Sequence, residues 1–122
     1  MKIVDSSGWI EYLRGTELGD LYAQHMEDGD VLVPAVVLYE VYKFVRRELG
    51  EGAATRAVAR VQRYPIVDLD EMLAVLAADL SLRHGLAMAD AMIYATALAL
   101  EAEIVTGDAD LKDLPGVTFL AK

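Results

Sequence analysis

The sequence predicts an α/β protein in which a central, short and mostly parallel sheet is covered by helices on both faces. Short apolar runs recur along the chain, helical segments separate them, and the runs are apolar on both faces of a strand. Strands buried on both faces are typical of parallel sheets, because the connecting helices cover the sheet. The 122 residues fit one domain, which we assign to 1–122.

The first half of the chain predicts two strands and four helices. Helix caps, a proline and three glycines that follow helices set the boundaries. The predicted elements are a strand at 2–5, a helix from Ser6 or Ser7 to Arg14, a helix at about 17–28 followed by Gly29, a strand at 31–33, a helix from after Pro34 to Leu49, and a helix at 53–63.

The second half predicts three more strands and two more helices. They are a strand at 65–68, a helix capped by Asp70 and running to His84, a helix at 90–101, and strands at 103–106 and 117–120. We interpret Met72, Met88 and Met92 as flexible side chains that fill the core.

Composition restricts the classes of protein and of site. The chain has no cysteine, which excludes disulfides, thiolate metal sites and a cysteine nucleophile, and favours a reducing compartment. The N-terminus does not resemble a signal peptide, and no uncharged apolar stretch reaches the ~18–20 residues of a membrane span. We therefore expect a cytoplasmic protein with no membrane partner.

Charge is distributed unevenly. The net charge is −9, which argues against a nucleic-acid partner when the chain is taken as a whole. Residues 43–63, however, contain six basic and two acidic residues, a local net charge of +4, whereas the remaining five basic and 18 acidic residues sum to −13. The segment is either a nucleic-acid contact or a pair of solvated helix faces.

Four carboxylates stand at or just after the end of an apolar run: Asp5, Glu40, Asp90 and Asp108. Asp5 and Asp108 follow predicted strands, whose carboxyl ends form sites in α/β sheets. Glu40 lies about one turn into the helix after the second strand, and Asp90 begins the helix that leads to the strand before Asp108. We therefore expect all four to converge, and buried carboxylates that converge are stabilised by a divalent cation such as Mg²⁺.

Each acid also has a purely structural interpretation. Asp5 and Asp90 can cap helices, and Asp108 and Asp110 can form turns. Glu40 is the hardest to explain in this way, because its neighbours in the helix are apolar and leave it little exposed surface. Taken together, the spacing favours a metal site.

In four segments the sequence resembles the PIN-domain family, specifically the VapC-type toxin ribonucleases. The segments are Ile3-Val4-Asp5-Ser6-Ser7, Leu38-Tyr39-Glu40-Val41, residues 89–97 around Asp90, and residues 104–110, Ile-Val-Thr-Gly-Asp-Ala-Asp. They occur in the family's order and span essentially the whole chain. Leu111 departs from the family pattern, in which many members have Phe at that place. The resemblance implies a PIN-like fold over 1–122.

The resemblance also implies a function. It implies a Mg²⁺-dependent endoribonuclease, with Mn²⁺ as a substitute, that serves as the toxin of a type II toxin–antitoxin system and binds RNA and a cognate antitoxin. Asp5 and Asp90 would be the central metal ligands, Glu40 and Asp108 would complete the site, and Asp110 would be auxiliary. Ser6 and Thr106 would orient carboxylates, or would serve only in helix capping and strand-end packing. The alternative function is a catalytically silent PIN fold that acts as a protein-interaction module.

Substrate contacts and assembly are predicted less directly. Lys43 and Arg47 share a helix face with Glu40 and are candidate phosphate ligands, unless they form a solvated stripe. Arg14 is a third candidate, although a cation at a helix C-terminus needs no ligand. We also expect a homodimer, in which segment 43–63 forms part of the RNA path.

Overall fold

The computed structural model describes residues 1–27 and 30–121, which form five strands and six helices. The elements are β1 (Lys2–Val4), α1 (Ser6–Arg14), α2 (Glu17–Glu27), β2 (Val31–Pro34), α3 (Ala35–Leu49), α4 (Glu51–Val61), β3 (Ile66–Val67), α5 (Glu71–His84), α6 (Met88–Leu100), β4 (Glu103–Thr106) and β5 (Val117–Phe119). The predicted end of the second helix at Asp28 and Gly29 lies outside the described residues.

The five strands form one sheet in the order β3-β2-β1-β4-β5, and every neighbouring pair is parallel. This confirms the predicted fold class. The chain builds β1, β2 and β3 in one direction and then returns to place β4 and β5 on the other side of β1. The order therefore reverses between β1 and β4, which is where α/β sheets commonly form a binding crevice.

The central strands are buried because helices cover the sheet. Ile3 and Val4 of β1 and Ile104 and Val105 of β4 have no exposed surface. Crossovers between parallel strands are right-handed, so the reversal of strand order changes the face of the sheet that the helices cover. Helices α1 to α4, which precede β3, therefore lie on one face, and α5 and α6, which follow it, lie on the other. Among the latter, α6 packs against β1, β2 and β4. The apolar runs on both faces of these strands follow from this arrangement.

Two helix starts differ from the sequence prediction, and the start of α1 at Ser6 agrees with it. Of the three cap candidates for α1, Asp5 is the N-cap, since its side chain accepts a hydrogen bond from the Gly8 amide. Helix α4 begins at Glu51, directly after Gly50, whereas 53 was predicted. Helix α6 begins at Met88, so Asp90 lies within its first turn instead of capping it.

The interpretation of the methionines as core residues is wrong for two of the three. Met72 is 81% exposed and Met88 is 72% exposed, whereas Met92 is partly buried against the core. Helix α5 is apolar on several sides, and it turns Leu73, Ala77 and Leu80 inward. Its outward side therefore exposes an apolar stripe, which consists of Met72, Val75 and Leu82, and the exposed Asp79 lies on the same face.

Among the described residues, no single helix is both long and apolar enough to cross a membrane. Helices α5 and α6 reach that length and composition only as a pair, and the pair is bent by 114°.

Candidate metal centre

Asp5 is held in a fixed orientation at the carboxyl end of β1. It is 3% exposed and accepts hydrogen bonds from the Gly8 amide at 3.0 Å and from Ser7 Oγ at 2.9 and 3.0 Å. Thr106 Oγ1, at the end of the neighbouring strand β4, donates to Asp5 Oδ2 at 2.5 Å. The carboxylate therefore spans the crevice at which the strand order reverses.

Thr106 also connects Asp5 to the acids that follow β4. The Asp108 amide donates to Thr106 Oγ1 at 2.9 Å, and the Asp110 amide donates to Asp108 Oδ1 at 2.9 Å. These short-range bonds form because residues 107–110 turn directly at the strand end. They fix Asp108 and Asp110 near the same edge as Asp5.

A group of three carboxylates forms between α6 and the turn after β4. Asp90, Asp108 and Asp110 each present an oxygen, and these oxygens all lie within 4.8 Å of one another. Asp90 and Asp108 are partly buried, whereas Asp110 is exposed. The family resemblance implies only an auxiliary role for Asp110, but its carboxylate belongs to this group as fully as those of Asp90 and Asp108.

Glu40, on α3, lies near this group. Burial raises the pKa of the Glu40 carboxyl group, a hydrogen bond with Ser6 opposes that rise, and the charges of Asp5 and Asp108 add to it. Glu40 therefore lies close enough to Asp5 and Asp108 to feel their charges. Ser6 contacts Glu40, whereas the neighbouring Ser7 contacts Asp5.

The electrostatics of the cluster favour a cation. Burial raises the pKa of the Asp5 carboxyl group, against the hydrogen bonds from Thr106, Gly8 and Ser7. Burial also raises the pKa of Asp90 to about 7, and the charges of Asp108, Asp110 and Glu40 contribute to that rise. The three grouped carboxylates, with Asp5 and Glu40 near them, offer only oxygen ligands, which hard divalent ions prefer. The donor set therefore fits Mg²⁺ or Mn²⁺.

Comparison with known proteins shows the family to which the chain belongs. The family model of the PIN domain matches residues 2–117. The chain belongs to the PIN-domain family. No curated protein has a significantly similar sequence.

Three solved PIN-domain-like structures share the fold at low sequence identity. A toxin–antitoxin complex from Klebsiella pneumoniae has a TM-score of 0.83 and 20% identity, over 97% of this chain and 96% of that chain. VapBC2 from Rickettsia felis, bound to a DNA fragment from its promoter, has a TM-score of 0.77 and 16% identity, over 99% and 98%. VapC20 from Mycobacterium tuberculosis, a toxin that cleaves the sarcin–ricin loop, has a TM-score of 0.75 and 18% identity, over 92% of each chain.

Two of the three predicted substrate-binding residues of this PIN domain lie beside the carboxylates. Lys43 and Arg47 line a cavity of about 260 Å³ together with Glu40 and Ser6. Arg14 is exposed in the last turn of α1, whereas Asp5 caps the first. The nine residues of that helix span ~13 Å. The structure thus brings Lys43 and Arg47 to Glu40 and leaves Arg14 at the other end of α1 from Asp5.

Two residues near Asp5 in the PIN domain, Ser7 and Tyr22, are not identified as site residues by the sequence, and Ser7 is bonded to Asp5. Ser7 follows Ser6, and local sequence does not show which serine turns toward Asp5. Tyr22 reaches the site from α2, is 1% exposed and lies so close to Gly8 that a Cβ there would come within 2.5 Å of the tyrosine ring. Burial raises the pKa of Tyr22, and the negative charge of Asp5 adds to that rise. Nothing in the spacing of the sequence connects α2 with β1 in this way.

The raised pKa values predict an unusual pH dependence of stability for the metal-free PIN domain. Asp90 binds a proton more tightly in the folded state than in the unfolded state, so its contribution is fully present below its ordinary pKa of 3.8 and is lost as the pH rises through about 7. The Tm should therefore fall by roughly 5 °C between about pH 5 and pH 8 in EDTA. Thermal denaturation followed by circular dichroism measures it.

Two variants and one ion test the origin of this pH dependence. Asp90→Asn should show a smaller fall in Tm over the same range, since the raised pKa values of Asp5 and Glu40 remain. Asp20→Asn, which changes an exposed acid of α2, should behave like the parent. Adding Mg²⁺ at pH 8 should raise the Tm of the parent but not that of Asp90→Asn, because a ligand that binds only the folded state stabilises it. The same Tm-versus-pH curve in Asp90→Asn as in the parent would contradict the assignment.

Proposed function

We propose that this PIN domain is a divalent-metal-dependent endoribonuclease, the toxin of a type II toxin–antitoxin pair that acts in the cytoplasm. The observation that carries the proposal is the group formed by Asp90, Asp108 and Asp110 at the carboxyl edge of the sheet. Asp5 and Glu40 lie close enough for the charge of Asp108 to help raise their pKa values. The carboxylates repel one another, which lowers stability without serving a protein-interaction module. A bound cation would relieve this repulsion and would also bind a phosphodiester substrate.

The site residues would bind the metal ion and orient the carboxylates. Asp5 and Asp90 would be the central ligands of Mg²⁺ or Mn²⁺, with Glu40 and Asp108 completing the site and Asp110 beside Asp108. The ion would supply positive charge that stabilises the negative charge developing on the phosphate during hydrolysis. Thr106 and Ser7 hold Asp5, and Ser6 contacts Glu40, so the carboxylates are oriented before an ion arrives.

The proposal of a toxin rests on the kind of proteins that share the fold. VapC20 cleaves an RNA loop, and two of the similar structures are toxin–antitoxin complexes. We infer an antitoxin partner that inserts a cationic segment near the carboxylates. The charge of −13 outside residues 43–63 favours a cationic partner through electrostatic complementarity.

The direct test is cleavage of single-stranded RNA by the purified protein with and without Mg²⁺. Metal-dependent cleavage that is lost in Asp5→Asn supports the proposal. A folded protein that cleaves no RNA under any of these conditions would instead be the catalytically silent interaction module.

Lys43 and Arg47 should contact phosphates of the RNA near the metal site. Removing both as a Lys43→Ala, Arg47→Ala variant should weaken binding to all RNA sequences and lower the slope of log affinity against log salt by about 1.4, since each phosphate contact to a single strand contributes ~0.7. Binding is measured in an Asp5→Asn background, which prevents turnover. Arg56→Ala, Arg63→Ala is the matched control, since both cations are exposed in segment 43–63 but line neither cavity around α3. An unchanged slope would assign Lys43 and Arg47 to a solvated face.

The apolar stripe of α5 supports a homodimer. Met72, Val75 and Leu82 are 81%, 66% and 87% exposed, which is unusual for large apolar side chains. Two copies of α5 packed antiparallel about a two-fold axis would cover both stripes and bring Glu71 of each near Arg83 of the other.

Light scattering should give twice 13.3 kDa for the parent. Val75→Lys, Leu82→Lys should give a monomer and Leu98→Lys, on α6, a dimer. A monomeric parent at ~100 μM would contradict the dimer.

A further inference from the structure

A groove between α3 and α4 lies next to the candidate metal centre. It is lined by apolar, aromatic and basic side chains, whereas the metal centre is lined by carboxylates. It is an open groove with a volume of about 930 Å³, and Ala35, Leu38 and Val58 give it an apolar floor. Tyr39 and Tyr42 stand at its side and are 60% and 38% exposed. We refer to it as the α3–α4 groove. Two exposed aromatic rings over an apolar floor are a surface on which planar groups can stack.

The same groove is lined by three cations: Lys43, Arg46 and Arg47. Arg47 forms an ion pair with Glu48 at 3.2 Å, but both side chains are more than half exposed, so the pair is weak. Arg47 can therefore leave Glu48 and bind another anion. Lys43 Nζ lies 5.6 Å from the centre of the Tyr39 ring and 3.5 Å from its hydroxyl oxygen. The cations thus stand beside the aromatic rings, in a segment of net charge +4 on an otherwise acidic chain.

The groove is continuous with the carboxylate edge. Tyr39, Lys43 and Arg47 line both the groove and the smaller cavity that contains Glu40 and Ser6. Tyr39 directly precedes Glu40 in α3, so the end of the groove is one residue from a carboxylate of the site. A chain-like ligand that occupies the groove would therefore lead into the metal centre.

We propose that the α3–α4 groove binds the bases of single-stranded RNA next to the phosphate that is cleaved. Tyr39 and Tyr42 stack on bases, and Lys43, Arg46 and Arg47 contact the connecting phosphates. Aromatic faces beside a basic track are the combination with which proteins bind single strands without strong sequence preference. The inference rests on the proposed ribonuclease function and adds to it a substrate form: unpaired RNA whose bases are free to stack.

The charges favour RNA over a protein segment as the occupant. A peptide held by the apolar floor alone would gain nothing from three cations around it, whereas every nucleotide brings one phosphate. The groove also ends at the carboxylates, which have a role toward a phosphodiester and none toward an acidic peptide. The binding of a protein segment there is an outcome that the experiment below identifies.

The test is the binding of an unstructured RNA oligonucleotide of about ten nucleotides to variants in the Asp5→Asn background. Tyr39→Ala, Tyr42→Ala should weaken binding about 10- to 100-fold, as expected for the loss of one or two stacked bases, and should leave the salt dependence unchanged. Tyr39→Phe, Tyr42→Phe should bind like the parent, because the ring faces remain. Leu49→Ala, an exposed apolar residue on the same helix that does not line the groove, is the matched control.

A second comparison separates stacking from a general loss of structure. An oligonucleotide with abasic sites should bind weakly to the parent and equally weakly to the double alanine variant, since it has no bases to stack. If the double variant is unfolded by circular dichroism, the single variant Tyr39→Ala replaces it, since its side chain is mostly exposed. Equal affinity of the alanine variants and the parent for the intact oligonucleotide would overturn the proposal and leave the groove to a protein partner.

The failure of this proposal is distinguishable from the failure of the proposed function. If the parent with an intact Asp5 cleaves RNA and the tyrosine variants have an unchanged KM, the function stands and the groove assignment is wrong. If the tyrosine variants lose affinity but the protein cleaves no RNA, the groove binds RNA and the nuclease function is wrong.

Discussion

Replacing Asp90 with asparagine should lower the rate of Mg²⁺-dependent RNA cleavage by at least about 1,000-fold, which corresponds to about 4 kcal/mol of lost transition-state stabilisation. The carboxylate of Asp90 lies with those of Asp108 and Asp110 in one group of oxygens, and asparagine keeps the size of the side chain but removes its charge. The fold should be retained, because Asn relieves the repulsion that raises the Asp90 pKa. Single-turnover cleavage of a labelled oligonucleotide measures the rate.

The Asp20→Asn variant is the control for this loss of rate, since it removes one exposed acid of α2 and should cleave RNA like the parent. Asp5→Asn should be as inactive as Asp90→Asn. Full activity in either of the two site variants, with the same requirement for Mg²⁺, would show that the cleavage site lies elsewhere.

Expression of this chain without a partner should arrest the growth of the host cell, because cleaved RNA blocks translation. The expectation follows from the proposed function. Incorporation of a labelled amino acid should fall within minutes of induction, and Asp5→Asn, expressed at the same level, should have no effect. The 5′ ends of RNA that appear after a brief induction would identify the substrate.

The result of such an expression experiment depends on the protein being folded. The parent must therefore be recovered as soluble protein with the circular dichroism of an α/β domain. Harmless accumulation of soluble, folded and metal-replete protein would contradict the assignment as a toxin, although it would leave cleavage of RNA in the test tube possible.

Much of this fold could be predicted because its signals are local. β1, β2 and β4 are apolar on both faces, glycine or proline marks most of the boundaries, and the ends of parallel strands meet at one edge. Asp5 and Asp108 follow two such strands, so the proximity of both to the edge follows from the topology alone. Glu40 was conspicuous for another reason, since few charges stand among so many apolar neighbours in a helix.

What could not be predicted depends on contacts between distant segments. Asp5, Ser6 and Ser7 are all good N-caps, and the choice of Asp5 is coupled to its bond with Thr106, which lies 101 residues away. Tyr22 supports the site from α2, and no periodicity indicates that. Helix α5 is apolar on most sides, so its sequence does not show which side is buried, and Met72 was misplaced for that reason.

The role of Asp110 illustrates the same limit at shorter range. Its spacing from Asp108 is compatible with a simple turn, and the amide bond to Asp108 does form that turn. The turn also carries the Asp110 carboxylate to Asp90, which belongs to a helix on the other side of the edge. Only the folded chain combines the structural role with the placement in the acidic group.

The most direct test of a divalent-metal-dependent endoribonuclease is the cleavage of single-stranded RNA by purified protein that has first been treated with EDTA. We expect no cleavage until Mg²⁺ or Mn²⁺ is added, and then cleavage by the parent but not by Asp5→Asn or Asp90→Asn. Cleavage at an undiminished rate in EDTA, or by the two site variants, would contradict it.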